Sequence, residues 1–156
     1  MRYELEHKTR IRDRIVRNAA RQLRAEGLSG PGVASVMKAS GLTVGGFYKH
    51  FRSKDELLAE AIAQAFSDSE KVYSSLQNVP REDRWKELVG LYLSPEHCDH
   101  PDTGCPVAAL PPEIARAKLS VRFRFGRRCG EIVKSAALRQ KQRSVRPDFP
   151  ESPAGG

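Results

Sequence analysis

The sequence contains no apolar run long enough to cross a membrane, and residues 1–6 lack the apolar stretch of a secretory signal peptide. Its three cysteines, an odd number, argue against a disulfide framework. It also has no glycine-rich phosphate loop and no nucleophile motif with a supporting base. These absences predict a cytoplasmic protein with no membrane contact and no cofactor, and they argue against an enzyme.

Acidic and basic residues are segregated along the 156-residue chain. Residues 1–54 carry 12 Lys/Arg and 4 Asp/Glu, a net charge of +8. Residues 55–117 carry 5 and 12, a net charge of −7, and residues 118–156 carry 10 and 3, a net charge of +7. A basic block is typical of nucleic-acid binders, although charged stretches more often form a solvated face. The motif found inside the first block makes DNA the better interpretation.

Two amphipathic helices are predicted at the start of this block. Residues 9–26 carry an apolar stripe at helical spacing, formed by Ile11, Ile15, Val16, Ala19, Ala20 and Leu23. Gly27 stands where a C-terminal cap belongs. A second helix opens at residues 29–31, with Pro31 in its first turn, and Gly41 ends it. Its inward residues are Val33, Val36 and Met37.

The next segment, TVGGFYKHF at residues 43–51, follows Gly41 after a tight turn. It is too short and too rich in glycine to be a good core helix on propensity alone. A helix, a glycine turn and a short second helix form a helix-turn-helix, whose second helix enters the major groove of DNA. We name residues 43–51 the recognition segment and expect Phe47 and Phe51 to anchor it on the first two helices.

Helical patterns continue through the acidic part of the chain. Ser53 and Glu56 form a capping box, and a long helix runs from there to about Ser75. Its apolar residues are Leu57, Leu58, Ala61, Ile62, Ala65, Phe66 and Val72. Residues 78–80 end this helix, and a further amphipathic helix is predicted over residues 81–93. That helix carries Trp85, Leu88, Val89 and Tyr92.

The pattern is less regular after this point. Residues 94–104 are predicted as a loop, and residues 106–117 as helical with an interruption at two prolines, 111–112. After Lys118 the apolar periodicity weakens, so only one short helix is expected, at residues 132–138. The sequence therefore predicts an all-α protein.

One stretch, residues 11–65, carries a specific motif. Its most specific piece is MKASGLTVGGFYKHF at residues 37–51, followed by SKDELL at residues 53–58. This stretch resembles the N-terminal part of TetR-type transcriptional repressors. The GGFY form, together with GCPVAAL at residues 104–110, is similar to the branch of the N-ethylmaleimide reductase repressor, which senses reactive electrophiles through a cysteine. The two resemblances together cover about residues 9–117.

The resemblance implies a fold, a partner and a signal. Residues 1–52 would form a three-helix helix-turn-helix domain for a double-stranded DNA operator. Residues 53–143 would form a helical regulatory and dimerisation domain, and residues 144–156 a disordered tail rich in Pro and Gly. The protein would act as a homodimeric repressor that a small-molecule or electrophile inducer releases from DNA.

By matched position, the resemblance implies a set of DNA-contacting residues: Thr43, Val44, Gly45, Gly46, Tyr48, Lys49, His50 and Lys54. The hydroxyls of Thr43 and Tyr48 can meet phosphates, Thr43 can cap the helix, and Lys54 lies at a helix N-terminus that favours anions. The two glycines remove side chains where the backbone approaches the groove. Two alternatives stay open: Tyr48 as a packing aromatic, and His50 as a surface or capping histidine.

Cys105 precedes Pro106 at a predicted helix start, where free N–H groups and the helix dipole stabilise a thiolate. The resemblance implies an electrophile sensor at this position. We therefore expect Cys105 to be alkylated faster than Cys98 or Cys129. The alternative is that Cys105 is a small buried residue without reactivity.

Residues 118–156 depart from the family pattern. The resemblance implies long C-terminal helices that complete an effector pocket and form most of a dimer interface. These residues are rich in arginine instead, and the prolines at 111–112 interrupt a segment expected to be continuous. The sequence therefore predicts a weak dimer and an atypical regulatory part after residue 117, as a truncation or a shifted reading frame would produce.

Two other classes of function stay open. One is a truncated product that folds as a helical interaction module without regulatory activity. The other is a thiol- or metal-dependent enzyme that uses Cys105 and the loop of His97 and His100. The spacing of the His/Cys cluster matches no standard zinc site, so no metal site is expected.

Overall fold

The computed structural model describes the backbone of residues 2–142 and the side chains of residues 4–70, 74, 76 and 78–131. Every regular element in this range is helical, which confirms the predicted all-α fold. The α-helices are α1 (Arg2–Glu26), α2 (Val33–Ala39), α3 (Lys54–Ser75), α4 (Arg84–Tyr92), α5 (Pro95–Asp99), α6 (Pro106–Ala109), α7 (Pro111–Arg116) and α8 (Leu119–Gln142). Three 3₁₀ helices cover Val44–Lys49, Leu76–Asn78 and Pro101–Thr103. The predicted tail, residues 144–156, lies outside the described residues.

The core forms where α1 packs on α3. The predicted stripe of α1 is confirmed, with Ile15, Ala19 and Leu23 fully buried. However, α1 begins at Arg2 rather than at Thr9. Residues 2–8 lack an apolar stripe but consist largely of good helix formers, and Glu4 in the first turn suits the helix dipole. Propensity alone therefore extends this helix where burial gives no signal.

Glycine turns separate the first elements, as predicted. Gly27 has φ of 77° and Gly41 has φ of 68°, a left-handed conformation that glycine adopts without steric cost. The start of α2 differs from the prediction, because the helix begins at Val33 with Gly32 as N-cap. Pro31 lies just before the helix, where it is fully buried. The proline therefore packs into the core and does not occupy the first helical turn.

The capping box of α3 is confirmed with one change. The backbone N–H of Glu56 donates to Ser53 Oγ over 3.2 Å, as predicted. The carboxylate of Glu56 accepts from the backbone N–H of Arg52 over 2.7 Å, one residue before the N-cap. The helix ends at Ser75 as expected, and its predicted core residues are buried: Leu57, Leu58, Ala61, Ile62, Ala65 and Phe66. The side chain of Val72 lies outside the described residues.

The segment after α3 is more helical than predicted. The predicted loop 94–104 contains α5 and the 3₁₀ helix Pro101–Thr103, so that prediction was wrong. Ser94 caps α5 by accepting from the N–H of His97 over 3.1 Å, and Pro95 occupies its first turn. This Ser-Pro start signal was missed because the helix it opens lasts barely one turn.

Two short helices flank the predicted break at the prolines. α6 and α7 meet at Leu110, which is fully buried in the core, so the interruption is confirmed. Ile114 of α7 is buried beside the same core. The carboxylate of Glu113 accepts from the backbone N–H of Leu28 over 2.7 Å. This bond ties α7 to the turn between α1 and α2.

α8 corrects the prediction for the end of the chain. A single helix runs over Leu119–Gln142, where the sequence predicted irregular structure and one short helix. Val121, Phe125 and Cys129 recur every four residues and pack on the core. The Phe125 ring meets Phe66 edge-on, with centroids 5.1 Å apart. The interleaved arginines and the exposed Phe123 obscure this helical period in the sequence.

α4 is a helix, as predicted, but it is shorter and packs less than an amphipathic pattern suggests. It covers Arg84–Tyr92, and the structure buries none of its residues. Trp85 is 62% exposed and Val89 is 46% exposed. None of the helices within residues 2–142 combines the length and apolarity that a bilayer-crossing helix needs.

Candidate nucleic-acid interface

Two phenylalanines fix the recognition segment on the core. Phe47 and Phe51 are each 1% exposed, and their rings stack with centroids 5.5 Å apart. The backbone N–H groups of His50 and Phe51 both donate to the Phe47 carbonyl, over 2.9 and 3.0 Å. The 3₁₀ helix Val44–Lys49 is therefore short but anchored, and Tyr48 and Lys49 between the two anchors are exposed.

Most of the predicted contact residues lie on the open side of this segment. The exposed ones are Thr43, Val44, Gly45, Tyr48, Lys49 and Lys54, and the half-buried ones are Gly46 and His50. Tyr48 is 76% exposed, with its ring edge-on to Phe47 at 5.2 Å. Because the protein covers so little of the Tyr48 side chain, only a small part of its surface is used in packing.

Thr43 occupies the N-cap position of the 3₁₀ helix but its side chain makes no capping hydrogen bond. Its backbone carbonyl instead accepts from the N–H of Gly46 over 3.0 Å. The predicted capping role of the hydroxyl is therefore wrong, because the first turn is closed by the backbone. The exposed hydroxyl is left available for an external partner.

Neither glycine of the recognition segment is required by the fold. Both have φ values outside the left-handed region. A Cβ added at Gly45 would meet nothing within 4 Å. A Cβ at Gly46 would make ordinary contacts of 3.6 Å with Met37 and 3.9 Å with Thr43. The fold therefore leaves open space beside the backbone at these two positions.

His50 has an unusual environment at the end of this segment. Its Nδ1 atom is shielded from solvent and has no hydrogen-bond partner among the described residues. Burial is the main cause that lowers the pKa of His50, and the positive charges of Lys8, Arg12 and Lys49 lower it further. The imidazole is therefore neutral in the free protein at neutral pH.

Arg12 is held by the protein itself. Its guanidinium binds the carboxylates of Glu56 at 2.9 Å and of Glu60, and it lies 4.4 Å from the centre of the Phe51 ring. The hydrogen bond to Glu60 is the main cause that raises the Arg12 pKa. Sequence analysis missed this role, because the long-range pairing of α1 with α3 leaves no local signal.

A comparison with protein families identifies this region. Residues 15–61 match the family model of bacterial regulatory proteins of the tetR family. These residues are therefore similar to the N-terminal domain of tetR-family regulators. The family consists of DNA-binding transcriptional regulators, so the match supports the helix-turn-helix inferred from the sequence. No curated protein sequence matches the chain.

The segment that matches the tetR family contains all eight predicted contact residues, and hydrogen bonds connect it to the second half of the chain. Arg24 of α1, with its side chain 2% exposed, donates to the backbone oxygen of Asp102 over 2.6 Å and pairs with Asp68 at 3.3 Å. Arg21 binds the Asp102 carboxylate at 2.6 Å. These bonds from Arg21 and Arg24 hold the segment that precedes Cys105 against α1.

Cys105 lies at the N-cap of α6 as predicted, but its surroundings differ from the expectation. It is 8% exposed, whereas Cys98 is exposed. α6 has only four residues, so few peptide dipoles are aligned behind the thiol. Burial is the main cause that raises the pKa of Cys129, and the electrostatic interaction with the neighbouring Cys105 raises it further. Both the burial and the short helix argue against fast alkylation of Cys105 in the folded protein.

The His/Cys-rich segment does not form a metal-binding arrangement in the described part of the chain, where no three His, Cys, Asp or Glu residues converge. The ring of His97 packs against Tyr92 with centroids 4.9 Å apart. His100 Nε2 lies 3.9 Å from a carboxylate oxygen of Glu96. These side chains have local packing and charge partners of their own.

Proposed function

We propose that this protein is a TetR-type repressor that binds an operator in double-stranded DNA through the recognition segment. The observation that carries the proposal is the anchored, outward-facing segment within residues 15–61, the part that matches the tetR family. Two buried phenylalanines fix its position, and Thr43, Val44, Tyr48 and Lys49 are exposed to solvent. A rigid, protruding element of this kind can enter a major groove without rearranging the core.

Each contact residue contributes by its chemistry. Gly45 and Gly46 allow the backbone to approach base edges closely, and the exposed Val44 methyls suit a thymine methyl group. The Tyr48 hydroxyl and the Lys49 ammonium suit phosphate oxygens. Thr43 and Lys54 flank the segment and extend the phosphate contacts to both of its ends. His50, neutral in the free protein, is a hydrogen-bond donor at the rim.

Two copies would read an operator together. Recognition segments in successive major grooves need to be about 34 Å apart, one turn of the double helix. A small molecule or an electrophile that reacts with Cys105 would favour a spacing that does not fit, provided that it binds the two states with different affinity. The clamp of Arg21 and Arg24 on Asp102 offers a direct connection between the Cys105 region and α1.

The test is selection of bound DNA from genomic fragments, followed by binding measurements on the enriched sequence and on a scrambled one. Specific repressors prefer their site by about 10³-fold or more over non-specific DNA. Tyr48→Ala should reduce binding to both sequences, while the exposed control Trp85→Ala should not. Equal affinity of the wild type for enriched and scrambled DNA would reject the proposed function.

A helical interaction module is the second candidate, and exposed apolar side chains favour it. Leu93 of the α4–α5 junction is 74% exposed, and Leu119 and Phe123 of α8 are 77% and 71% exposed. A contiguous apolar patch marks a protein contact, whereas isolated apolar side chains are common on surfaces, so the module requires that these residues act as one patch. Light scattering after size-exclusion chromatography separates the candidates, because a strictly monomeric protein without DNA specificity fits only the module.

A further inference from the structure

Positively charged side chains lie near the end of the recognition segment, where it packs beside α1. Arg12 lies over the Phe51 ring, next in sequence to His50, and its charge is taken up by Glu56 and Glu60 on α3. Lys8 lies one helical turn before Arg12, hence on the same face of α1. Sequence analysis missed Lys8, because α1 was predicted to begin only at Thr9.

Lys8 and Lys49 differ from Arg12 in having no acidic partner among the described residues. Lys49 directly precedes His50 in the chain, and Lys8 lies one helical turn before Arg12, which contacts the ring of Phe51. Both lysines are near enough to His50 to lower the pKa of its ring. The His50 Nδ1 atom beside them is shielded from water and unpaired. Two ammonium groups without an acidic partner in the described residues, near a shielded and unpaired ring nitrogen, make this end of the segment a candidate site for an anion.

We propose that Lys8 and Lys49 hold one phosphate group of the DNA backbone between them, beside the ring of His50. The inference rests on the proposed function and extends it to α1, which the matched contact residues do not include. The phosphate would give Lys8 and Lys49 a negatively charged partner. Arg12 does not need one, because it already pairs with Glu56 and Glu60. The contact reads no base, so it contributes to affinity and orientation rather than to sequence preference.

Binding at this site changes the proton affinity of His50. In the free protein, burial and the charges of Lys8, Arg12 and Lys49 lower its pKa. A bound phosphate offsets the two lysine charges, so the pKa rises part of the way towards the ordinary value while the effect of burial persists. Because the bound state then holds more protons, DNA affinity increases as the pH falls through this range, around and below about 6.5.

The first test is a salt titration of DNA binding with Lys8→Gln, Lys49→Gln and the double variant. A mixed-sequence duplex of about 21 bp, two helical turns, is sufficient as a probe because phosphate contacts are sequence-independent. If both lysines hold one phosphate, the double variant lowers the slope of log K against log salt by about 0.9 for each bound copy of the protein, the value for one contact, with the number of copies on the duplex measured by light scattering. Two separate phosphates would give about 1.8 and overturn the proposal.

The matched control is Lys118→Gln, which removes one exposed lysine from the second half of the chain. It should leave the slope unchanged, and a double variant that behaves like this control overturns the proposal. In the variant cycle, Lys8→Gln should cost about threefold less affinity in the Lys49→Gln background than in the wild type, as expected for residues that share a partner. Additive losses would contradict the shared phosphate.

The second test follows the His50 imidazole by NMR during a pH titration with and without the same duplex. We expect a raised His50 pKa in the wild-type complex and no rise in the Lys8→Gln/Lys49→Gln double variant, measured at protein and DNA concentrations that saturate both. An unchanged pKa in the wild-type complex overturns the proposal. The proposed function is judged separately, because the double variant should keep its preference for the selected sequence. A wild type that binds no DNA at any salt concentration overturns both.

Discussion

At the scale of single residues, the recognition segment is defined by side chains that the fold does not need. Gly45 has open space where a Cβ would lie, and Tyr48 is largely exposed beside the buried Phe47. Residues that stabilise this region, such as Phe47 and Phe51, are hidden and face the opposite way. Substitutions on the two sides should therefore separate stability from DNA binding.

Gly45→Ala should leave the protein as stable as the wild type, or more stable by up to about 1 kcal/mol, because a helical alanine loses less backbone entropy than glycine. It should nevertheless weaken DNA binding about fivefold or more, on the order of 1 kcal/mol, if the backbone approaches the groove. Thermal unfolding and fluorescence anisotropy measure the two effects. Gly90→Ala on α4 is the matched control, since its Cβ would also meet nothing within 4 Å. Equal DNA affinity of the two variants would contradict the close approach.

Alkylation rates test the cysteine assignment. Cys98 should react with iodoacetamide first in the folded protein, because it is exposed while Cys105 is buried and Cys129 has a raised pKa. Mass spectrometry of timed samples gives the order. N-ethylmaleimide should release DNA from the wild type only as the slower Cys105 reaction proceeds, and not from Cys105→Ser. Release that follows Cys98 labelling would assign the sensor elsewhere.

At the scale of elements, the apolar periodicity of the sequence predicted the helices that form the core. It did not predict helix ends that depend on helix propensity and charge instead of burial. α1 and α3 were found because Ile15, Ala19 and Leu23, and their counterparts on α3, must face one side. The N-terminal turns of α1 rest on propensity and charge, which leave no apolar stripe. Lys8 was missed for the same reason.

α8 shows a different failure. Its inward residues Val121, Phe125 and Cys129 follow a helical spacing, but Phe123 between them is exposed. Val121, Phe123 and Phe125 therefore imitate the alternation of a strand. The position of the contact residues could be predicted from the motif, whereas their exposure and the environment of His50 depend on how α1 packs on α3. Long-range packing of that kind is not written in any local pattern.

The clamp between α1 and the second half can be tested with a matched pair. Arg24→Met should lower the free energy of unfolding by about 2–3 kcal/mol, since it removes a charged hydrogen bond to the Asp102 backbone from a buried site. Arg21→Met should cost only about 0–1 kcal/mol, because its ion pair with Asp102 is solvent-exposed. Urea unfolding measures both. Equal losses would show that the burial of Arg24 has no energetic consequence.

At the scale of the whole molecule, the charge distribution predicts opposite responses to salt for DNA binding and for self-association. The +8 block at residues 1–54 makes DNA affinity fall as salt rises, through counterion release. The exposed face of α8 carries Leu119 and Phe123, and a Cβ at Gly126 or Gly130 would meet nothing within 4 Å. A second copy of the chain could pack on this face. The arginines of the two α8 helices would then be brought together across the two-fold axis.

We therefore expect a weak dimer that becomes tighter at high salt, where like charges are screened within a Debye length of about 3 Å at 1 M. Analytical ultracentrifugation at micromolar protein across salt concentrations measures this directly. Phe123→Ser should weaken the association, whereas Trp85→Ser on α4 should not if α8 forms the contact. The expectation would be wrong if the protein formed a tight dimer at low salt that Phe123→Ser did not weaken. Such a dimer would be opposed by no arginine repulsion and would not need the α8 face, so its interface would lie on another surface.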